Sequence, residues 1–315
     1  MAHAEAVPVT AAAANGNAAQ NGVLMTRAAW AAVGVAALLI LLKTVAYIVT
    51  DSIAMMASLA DSAVDLFASS INLLAIRHAL TPADAEHRFG HGKAEPLAGL
   101  VQAAFIAGSV AFLMIESASR LVAPHPIEQS WLALTIMAVS IATTIVLLTV
   151  QQIAIRRTGS LAIGADRMHY LGDLLTNAGV IVGIVLSTQF GLLEADPVIG
   201  MGVSIVLAWS AWHVFRQSYD QLMDRELPDS DREKIKSIVM RHAEVRSLHD
   251  LRTRAAGVHT FIQLHIELDP AMSLTRSHQV SDEVERELCA AYPNAEVIIH
   301  QDPEGLESPR MWVAS

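Results

Sequence analysis

Six long apolar stretches restrict the fold of this chain more than any other feature of its sequence. They cover roughly residues 27–50, 53–77, 96–122, 130–154, 160–189 and 196–217. Each is close to the ~20 residues that a helix needs to cross a bilayer. Hydrophobic residues make up 53% of the 315 residues and charged residues 17%, which is too apolar for an ordinary soluble domain. The sequence therefore predicts an all-α membrane domain of six transmembrane helices.

The distribution of basic residues predicts how these helices are oriented. Lysine and arginine are concentrated at one set of span ends and are scarce in the loops on the opposite side. The residues at the basic ends are Arg27, Arg77, Arg88, Lys93, Arg156, Arg157, Arg167, Arg216 and Arg225. Since basic residues favour the cytoplasmic side, both termini are predicted to be cytoplasmic. Two residues depart from this pattern, namely Lys43 inside the first span and Arg120, which is predicted to pair with Glu116 one turn earlier. The net charge of −10 gives no support to a nucleic-acid partner.

The character of the sequence changes after Leu222, where the long apolar runs stop. The pattern predicts a helix from Asp229, strands around 248–254 and 260–268, a helix over 275–291 and a closing strand at 297–300. This order is typical of a small α+β domain, and the single cysteine, Cys289, is consistent with a reduced cytosolic setting. The predicted organisation is a disordered N-terminal tail 1–22, a six-helix membrane domain 23–218, a cytoplasmic α+β domain 219–303 and a C-terminal tail 304–315.

Four ionisable residues lie inside the predicted second and fifth spans. Asp61 and Asp65 are four residues apart, as are His169 and Asp173, and this spacing places each pair on one face of its helix. Both pairs lie about 14–20 Å from the start of their helix at 1.5 Å per residue, so two antiparallel helices bring them to the same depth. Three carboxylates and one imidazole form a four-ligand set that zinc accepts readily.

An alternative is that these residues only hold helices together by polar contacts, or that Asp61 is hydrated near the interface. Against it, three carboxylates in a low-dielectric slab need a cation or protons to be tolerated. Metal and protons then compete for the same groups, which would couple metal movement in one direction to proton movement in the other. The residues thus predict a divalent transition-metal site, most favourably for zinc.

Two further sets of residues have ligand chemistry outside the spans. The loop after the second span carries Asp84, His87 and His91. The α+β domain offers five dispersed residues: His249, His265, His278, His300 and Asp302. Spacing alone leaves open whether these are metal ligands or solvated surface residues. The alternating phase of the second strand, which turns His265 away from the apolar face, and the pair at 300 and 302 favour a site.

Several ordered motifs resemble the cation diffusion facilitator family, in particular its bacterial branch that exports zinc and ferrous iron. They are LADSAVDLFASSINLLAIRHALTPADAEHRFGHGKAEPLAGL, ADRMHYLGDLLTNA, LMDRELPD, HDLRTRAAG and VIIHQDP. The resemblance runs from about Leu24 to Pro303.

The resemblance implies a homodimeric inner-membrane antiporter with six helices and a cytoplasmic metallochaperone-like domain, which exports zinc, and also cadmium or ferrous iron, in exchange for protons. By matched position it assigns Asp61, Asp65, His169 and Asp173 to the transport site. It assigns Asp84, His87 and His91 to a loop site, and His249, His265, His278, His300 and Asp302 to a binuclear cytoplasmic site. It also matches Lys93 and Asp224 to a charge pair near the membrane surface.

Other functions compete with zinc and proton antiport. Within the same class, ferrous iron is an alternative main cargo, whereas the imidazole of His169 argues against manganese. From a different class, the chain could be a membrane-anchored metal sensor that transports nothing. An intramembrane metallopeptidase is disfavoured because no His-Glu-x-x-His arrangement is present, so no enzyme activity is expected.

Overall fold

The computed structural model describes residues 9–50, 53–122, 131–192 and 194–305. The chain divides into two compact units, one formed by Gln20–Leu222 and the other containing the chain from Met223 onward. The first unit is all-helical and the second is α+β, so the predicted fold class is confirmed.

The helices that the apolar stretches predict form the helical unit, which contains α1 from Gln20 onward. They are α1 Val9–Thr50, α2 Ile53–Ala79, α3 Ala94–Val122, α4 Trp131–Thr158, α5 Leu161–Phe190 and α6 Ala195–Leu222. Among the described residues, the segments Gln20–Val49, Ser58–Ala79, Ala94–Val122, Thr135–Thr158 and Pro197–Leu222 are long and apolar enough to cross a membrane. The 30-residue α5 is equally long but interrupts its apolar sequence with Asp166, Arg167, His169 and Asp173. The chain is a multi-pass membrane protein.

The first helix begins earlier than the sequence predicts. Residues 9–22 belong to α1, where a disordered tail was expected. The physical reason is that this segment is rich in alanine, the residue with the highest helix propensity, and it extends a helix whose nucleus already exists. Residues 1–8 and 306–315, which complete the two predicted tails, lie outside the described residues, as does residue 130 at the start of the predicted fourth span.

Close helix packing in this unit depends on glycines that face small polar side chains. A Cβ added to Gly99 or Gly200 would collide with the hydroxyl of Ser218 or Ser117, respectively, so α3 and α6 approach each other through these positions. Large apolar side chains such as Phe112 point outward and are exposed, as expected of a surface that lipid covers. The predicted pair of Arg120 and Glu116 is present, with 2.8 Å between Nε and Oε1.

The α+β unit contains α7 Asp229–Val239, β1 Ser247–Ala256, β2 His259–Leu268, α8 Leu274–Ala291 and β3 Ala295–Pro303. Its three strands lie in the order β1-β2-β3. The β1 and β2 strands are antiparallel, whereas β3 runs parallel to β2 because α8 provides the crossover. One face of the sheet and the two helices enclose an apolar core that includes Ile235, Ile262, Ile266 and Leu288. The unit therefore has its own core.

Candidate metal centres

Two helices of the membrane unit bring three of the four predicted intramembrane ligands together. Asp65 on α2 and His169 and Asp173 on α5 each offer a ligand atom, and these atoms lie within 4.8 Å of one another. The Nε2 atom of His169 is 3.1 Å from Oδ1 of Asp65. Asp65 is only 7% exposed and His169 only 4% exposed. The cluster thus combines two carboxylates and an imidazole, with Asp65 and His169 buried and Asp173 partly buried, and this donor set is suited to a transition-metal ion.

Asp61 is placed differently from its three predicted partners. It lies one turn before Asp65 on α2, its side chain is exposed, and it is not part of the three-residue group. It nevertheless interacts electrostatically with Asp65, Lys43 and His169. The geometry therefore provides a three-ligand cluster with a further carboxylate beside it.

A buried polar network next to the cluster was not predicted from the sequence. Asp166, one turn before His169, is 1% exposed. Its Oδ2 accepts a hydrogen bond from Gln151 (2.7 Å) and its Oδ1 accepts one from Gln102 (3.2 Å). Because Gln102 lies on α3 and Gln151 on α4, Asp166 ties α5 to both neighbours and so helps to fix the helix that carries His169. The available sequence signal was a further Asp in an apolar span, one turn from a predicted ligand.

The loop between α2 and α3 gathers its three predicted residues. Atoms of Asp84, His87 and His91 also lie within 4.8 Å of one another. Nδ1 of His87 and Nε2 of His91 are each 3.4 Å from the Asp84 carboxylate. The backbone N–H of His87 donates to this carboxylate and, together with the backbone N–H of Glu86, holds the pKa of Asp84 below its usual value. His78, which the sequence reasoning passed over, places its ring 4.5 Å from that of His91.

In the α+β unit, strand register forms a row of histidines across the sheet. His249 on β1 is opposite His265 on β2, and His265 is opposite His300 on β3. Asp302 lies two residues beyond His300, on the same face of β3. Its carboxylate is 2.7 Å from Nδ1 of His265, 3.2 Å from Nε2 of His249 and 3.2 Å from Nε2 of His300. Three of these residues, His249, His265 and Asp302, form a group with ligand atoms within 4.8 Å.

The charge of Asp302 is stabilised by its neighbours. Burial acts to raise the pKa of this carboxyl, but the hydrogen bond from His265 and the nearby His300 and His249 outweigh burial and lower the pKa. The carboxylate is therefore ionised at neutral pH and available as a ligand.

The sequence reasoning also missed Asp250, which lies beside this cluster. The pairing of β1 with β2 is irregular between His249 and Arg252, and Asp250 has a φ of 46° in the left-handed region. Oδ2 of Asp250 is 3.7 Å from Nε2 of His265. An irregularity of this kind has no signature in the alternating sequence pattern, so its effect on side-chain direction emerges only in the folded sheet.

Three other predicted residues have their own contacts in the structure. His278 on α8 is largely exposed and faces Asp282, with 3.6 Å between Nε2 and Oδ2. The Nζ atom of Lys93 donates to the carbonyl of Leu222 at 3.4 Å. Asp224 accepts a hydrogen bond from Arg254 at 3.3 Å. Lys93 and Asp224 belong to different compact units, so their pairing stays a prediction.

Comparison with known proteins covers most of the chain. A family model for the cation efflux transmembrane domain matches residues 29–223, and one for the cytoplasmic domain of cation efflux proteins matches residues 227–304. The chain is 41% identical over 282 residues to the cation-efflux pump FieF of Cronobacter sakazakii, covering 90% of this chain and 94% of that protein. It is 40% identical over 285 residues to FieF of Klebsiella pneumoniae, covering 90% and 95%.

A solved structure of CzrB in its zinc form is also similar, at 31% identity over 27% of this chain and 98% of that chain, with a TM-score of 0.26. The membrane helices and the α+β unit are thus each matched by a model of the same family. Since the FieF relatives extend this match to nine tenths of the sequence, the chain belongs to the cation diffusion facilitator family.

Proposed function

We propose that the protein exports divalent transition-metal ions, with zinc as the main cargo, in exchange for protons. Cadmium and ferrous iron are secondary cargoes of the same pathway. The transport site consists of Asp65, His169 and Asp173, which Asp61 joins as the fourth ligand when the ion binds. The FieF relatives are named as cation-efflux pumps, in keeping with this proposal.

The convergence of Asp65, His169 and Asp173 between α2 and α5 is the observation that carries the proposal. Ionisable groups inside membrane helices are costly and generally functional. The imidazole favours zinc and related ions over harder cations, which prefer all-oxygen sites. Asp61 is at the edge of the cluster and is exposed, so a small change in its side chain or in α2 brings a fourth oxygen to the ion.

The same residues account for proton exchange. An ion can bind only when the carboxylates are ionised and the imidazole is neutral, so its arrival displaces protons and its release lets them return. When the site alternates between the two sides of the membrane, protons that move inward down their gradient drive metal outward. No other coupling element is needed.

The loop and cytoplasmic clusters serve as regulatory metal sites in this proposal. Asp84, His87 and His91 hold one ion near the membrane surface. His249, His265, His300 and Asp302 form the cytoplasmic site, and His278, which lies apart from them on α8, joins only where a second protomer brings it. The protein acts as a homodimer through its cytoplasmic domain, and Lys93 and Asp224 form a charge pair around which the protomers hinge.

The basic residues at one set of helix ends support insertion in the bacterial inner membrane with both termini in the cytoplasm. Export then starts from the compartment that contains the regulatory clusters. Cytoplasmic metal can bind both the transport site and the regulatory clusters. The rate of export can therefore rise with the cytoplasmic metal concentration, which export in turn lowers.

Reconstitution into proteoliposomes tests the proposal. Vesicles with a zinc-sensitive dye inside and an outward proton gradient should accumulate zinc, and proton efflux should accompany it. Asp173→Ala should abolish both fluxes, whereas Glu116→Gln, which changes a membrane carboxylate that is paired with Arg120 and is not part of the cluster, should retain them. Full zinc transport by Asp173→Ala would disprove the site assignment.

The same experiment separates the alternatives. A sensor would bind zinc at its cytoplasmic cluster, His249, His265 and Asp302, without any flux in pure lipid vesicles. A protein whose main cargo is ferrous iron would move iron faster than zinc when both are supplied at equal free concentration.

A further inference from the structure

Lys43 is a buried cation in the membrane unit to which the transport proposal assigns no role. It lies on α1 and is 9% exposed. Its Nζ donates hydrogen bonds to the carbonyl of Ser58 at 3.0 Å and to Oγ of Ser62 at 2.6 Å. Both acceptors belong to α2, so the ammonium group is held against the helix that carries two of the proposed ligands.

The position of these acceptors along α2 places the charge beside the ligands. Ser58, Asp61, Ser62 and Asp65 follow one another at intervals of three, one and three residues, which aligns them on one helix face. Lys43 therefore meets the same polar stripe from which the carboxylates project. It interacts electrostatically with Asp61 on this stripe and with Asp173 on α5.

A fixed positive charge at this position has opposite effects on the two states of the site. Without metal, it stabilises ionised carboxylates that would otherwise repel one another in a low-dielectric environment. With a divalent cation bound, it repels the ion and so reduces affinity. Lys43 thus weakens the binding of the ion to the ionised carboxylates and so promotes release, which a transporter requires and a storage site does not.

We propose that Lys43 is a tethered counter-cation of the transport site, held by Ser58 and Ser62, that keeps the affinity for metal low enough for rapid release. It is a positioning residue and does not bind the ion. The proposal rests on the proposed transport function. It attributes the lower metal affinity mainly to the charge of Lys43 and less to its hydrogen bonds.

Equilibrium binding of zinc to the full-length dimer in lipid nanodiscs tests this proposal. The protein used carries His87→Ala, His249→Ala and His265→Ala, so that the remaining zinc binding occurs at the membrane cluster. As a control, adding Asp173→Ala should abolish this remaining binding. In this background, Lys43→Met should lower the zinc Kd by about tenfold or more, because removal of a nearby like charge strengthens cation binding. In proteoliposomes the same variant should show a lower maximal flux.

Other substitutions separate charge from tethering. Lys43→Gln keeps a hydrogen-bond donor without the charge and should behave as Lys43→Met does, which also covers the case in which Lys43→Met fails to fold. Lys43→Arg should reverse most of the change in Kd. Ser62→Ala removes one hydrogen bond but keeps the charge, and should shift the Kd less than Lys43→Gln.

An unchanged or higher Kd in folded Lys43→Gln would overturn the proposal, as would a change in Ser62→Ala equal to that in Lys43→Gln. Binding is measured without transport, so the result is independent of flux. If wild-type protein bound zinc at the membrane cluster but transported none, the transport function would be refuted. The zinc Kd of the Lys43 variants would still test the effect of Lys43 on affinity.

Discussion

The membrane cluster and the cytoplasmic cluster use similar ligands in very different surroundings. Asp65, His169 and Asp173 lie between two helices, in a unit whose outward surface is apolar. His249, His265 and Asp302 lie on one face of a small sheet and remain partly accessible. Asp65 and His169 are almost completely buried, whereas all three residues of the second set are only partly buried. In the proposed function, this contrast distinguishes the transport site from the regulatory site.

The largest expected effect concerns the membrane cluster. Asp173→Ala removes one of the three clustered ligands and one of the carboxylates near His169. Zinc flux should therefore fall by at least about a hundredfold, which exceeds the loss typical when a residue that only orients a metal ligand is changed. Stopped-flow measurement in proteoliposomes provides the rate. Comparable flux in this variant and in Glu116→Gln would mean that the buried cluster is not the pathway.

The next effect concerns the choice of cargo at the same site. His169→Asp replaces the imidazole by a carboxylate and creates an all-oxygen set, which hard ions prefer. The ratio of zinc flux to manganese flux should fall several-fold, with total flux reduced less than in Asp173→Ala. Competition between the two metals in the same vesicles measures the ratio, and a ratio that stayed at the wild-type value would refute the role given to His169.

A smaller effect on flux is expected from the cytoplasmic cluster. His249→Ala combined with His265→Ala should remove the response of interdomain distance to zinc, since both rings contact Asp302. Transport should continue at a reduced rate because the membrane ligands are intact. Spin labels on the two cytoplasmic domains measure the distance, with His259→Ala, a histidine outside the cluster, as the matched control. A distance response equal to that of wild type would rule out regulation through this cluster.

The smallest effect concerns stability of the metal-free cytoplasmic unit. Because the pKa of Asp302 is lowered in the folded protein, its ionised form contributes stability above the unfolded pKa, and this contribution is lost as pH falls through the lower, folded value. Asp302→Asn should therefore be less stable than wild type at neutral pH by about 0.2–1 kcal/mol, typical of accessible ion pairs. The difference should shrink below about pH 4, the ordinary range of an aspartate.

Urea denaturation of a fragment from Met223 to the C-terminus, which has its own apolar core, measures this difference with chelator present. A constant gap between the two proteins down to strongly acidic pH would show that Asp302 contributes by packing and not by its charge.

Local pattern was sufficient for much of this architecture. Apolar length predicted the membrane helices, and alternation at residues 262–268 predicted β2, because both follow from the backbone's fixed periods. The four-residue spacing of His169 and Asp173 placed both on one helix face in the same way. Those predictions needed no information about which element packs against which.

Other features depend on contacts between distant segments. The network of Asp166, Gln102 and Gln151 joins three helices, and no local pattern specifies which polar groups meet. Asp250 is turned by an irregularity in the pairing of β1 with β2. The extent of α1 is another such feature, because composition alone points to a tail over residues 1–22, whereas continuity with α1 favours helix from Val9 onward.

The sequence by itself determined that the chain enters a membrane, which helix faces carry ionisable groups, and which ligand types they present. These follow from hydropathy and helical periodicity, which are local properties. Only the tertiary structure decided that Asp65 meets His169 while Asp61 stays at the edge, that three histidines form a row across the sheet while His278 lies apart, and that Lys43 is held on the aspartate-bearing face of α2. Helix packing and strand register determine which residues become neighbours, because both depend on contacts between residues that are far apart in the chain.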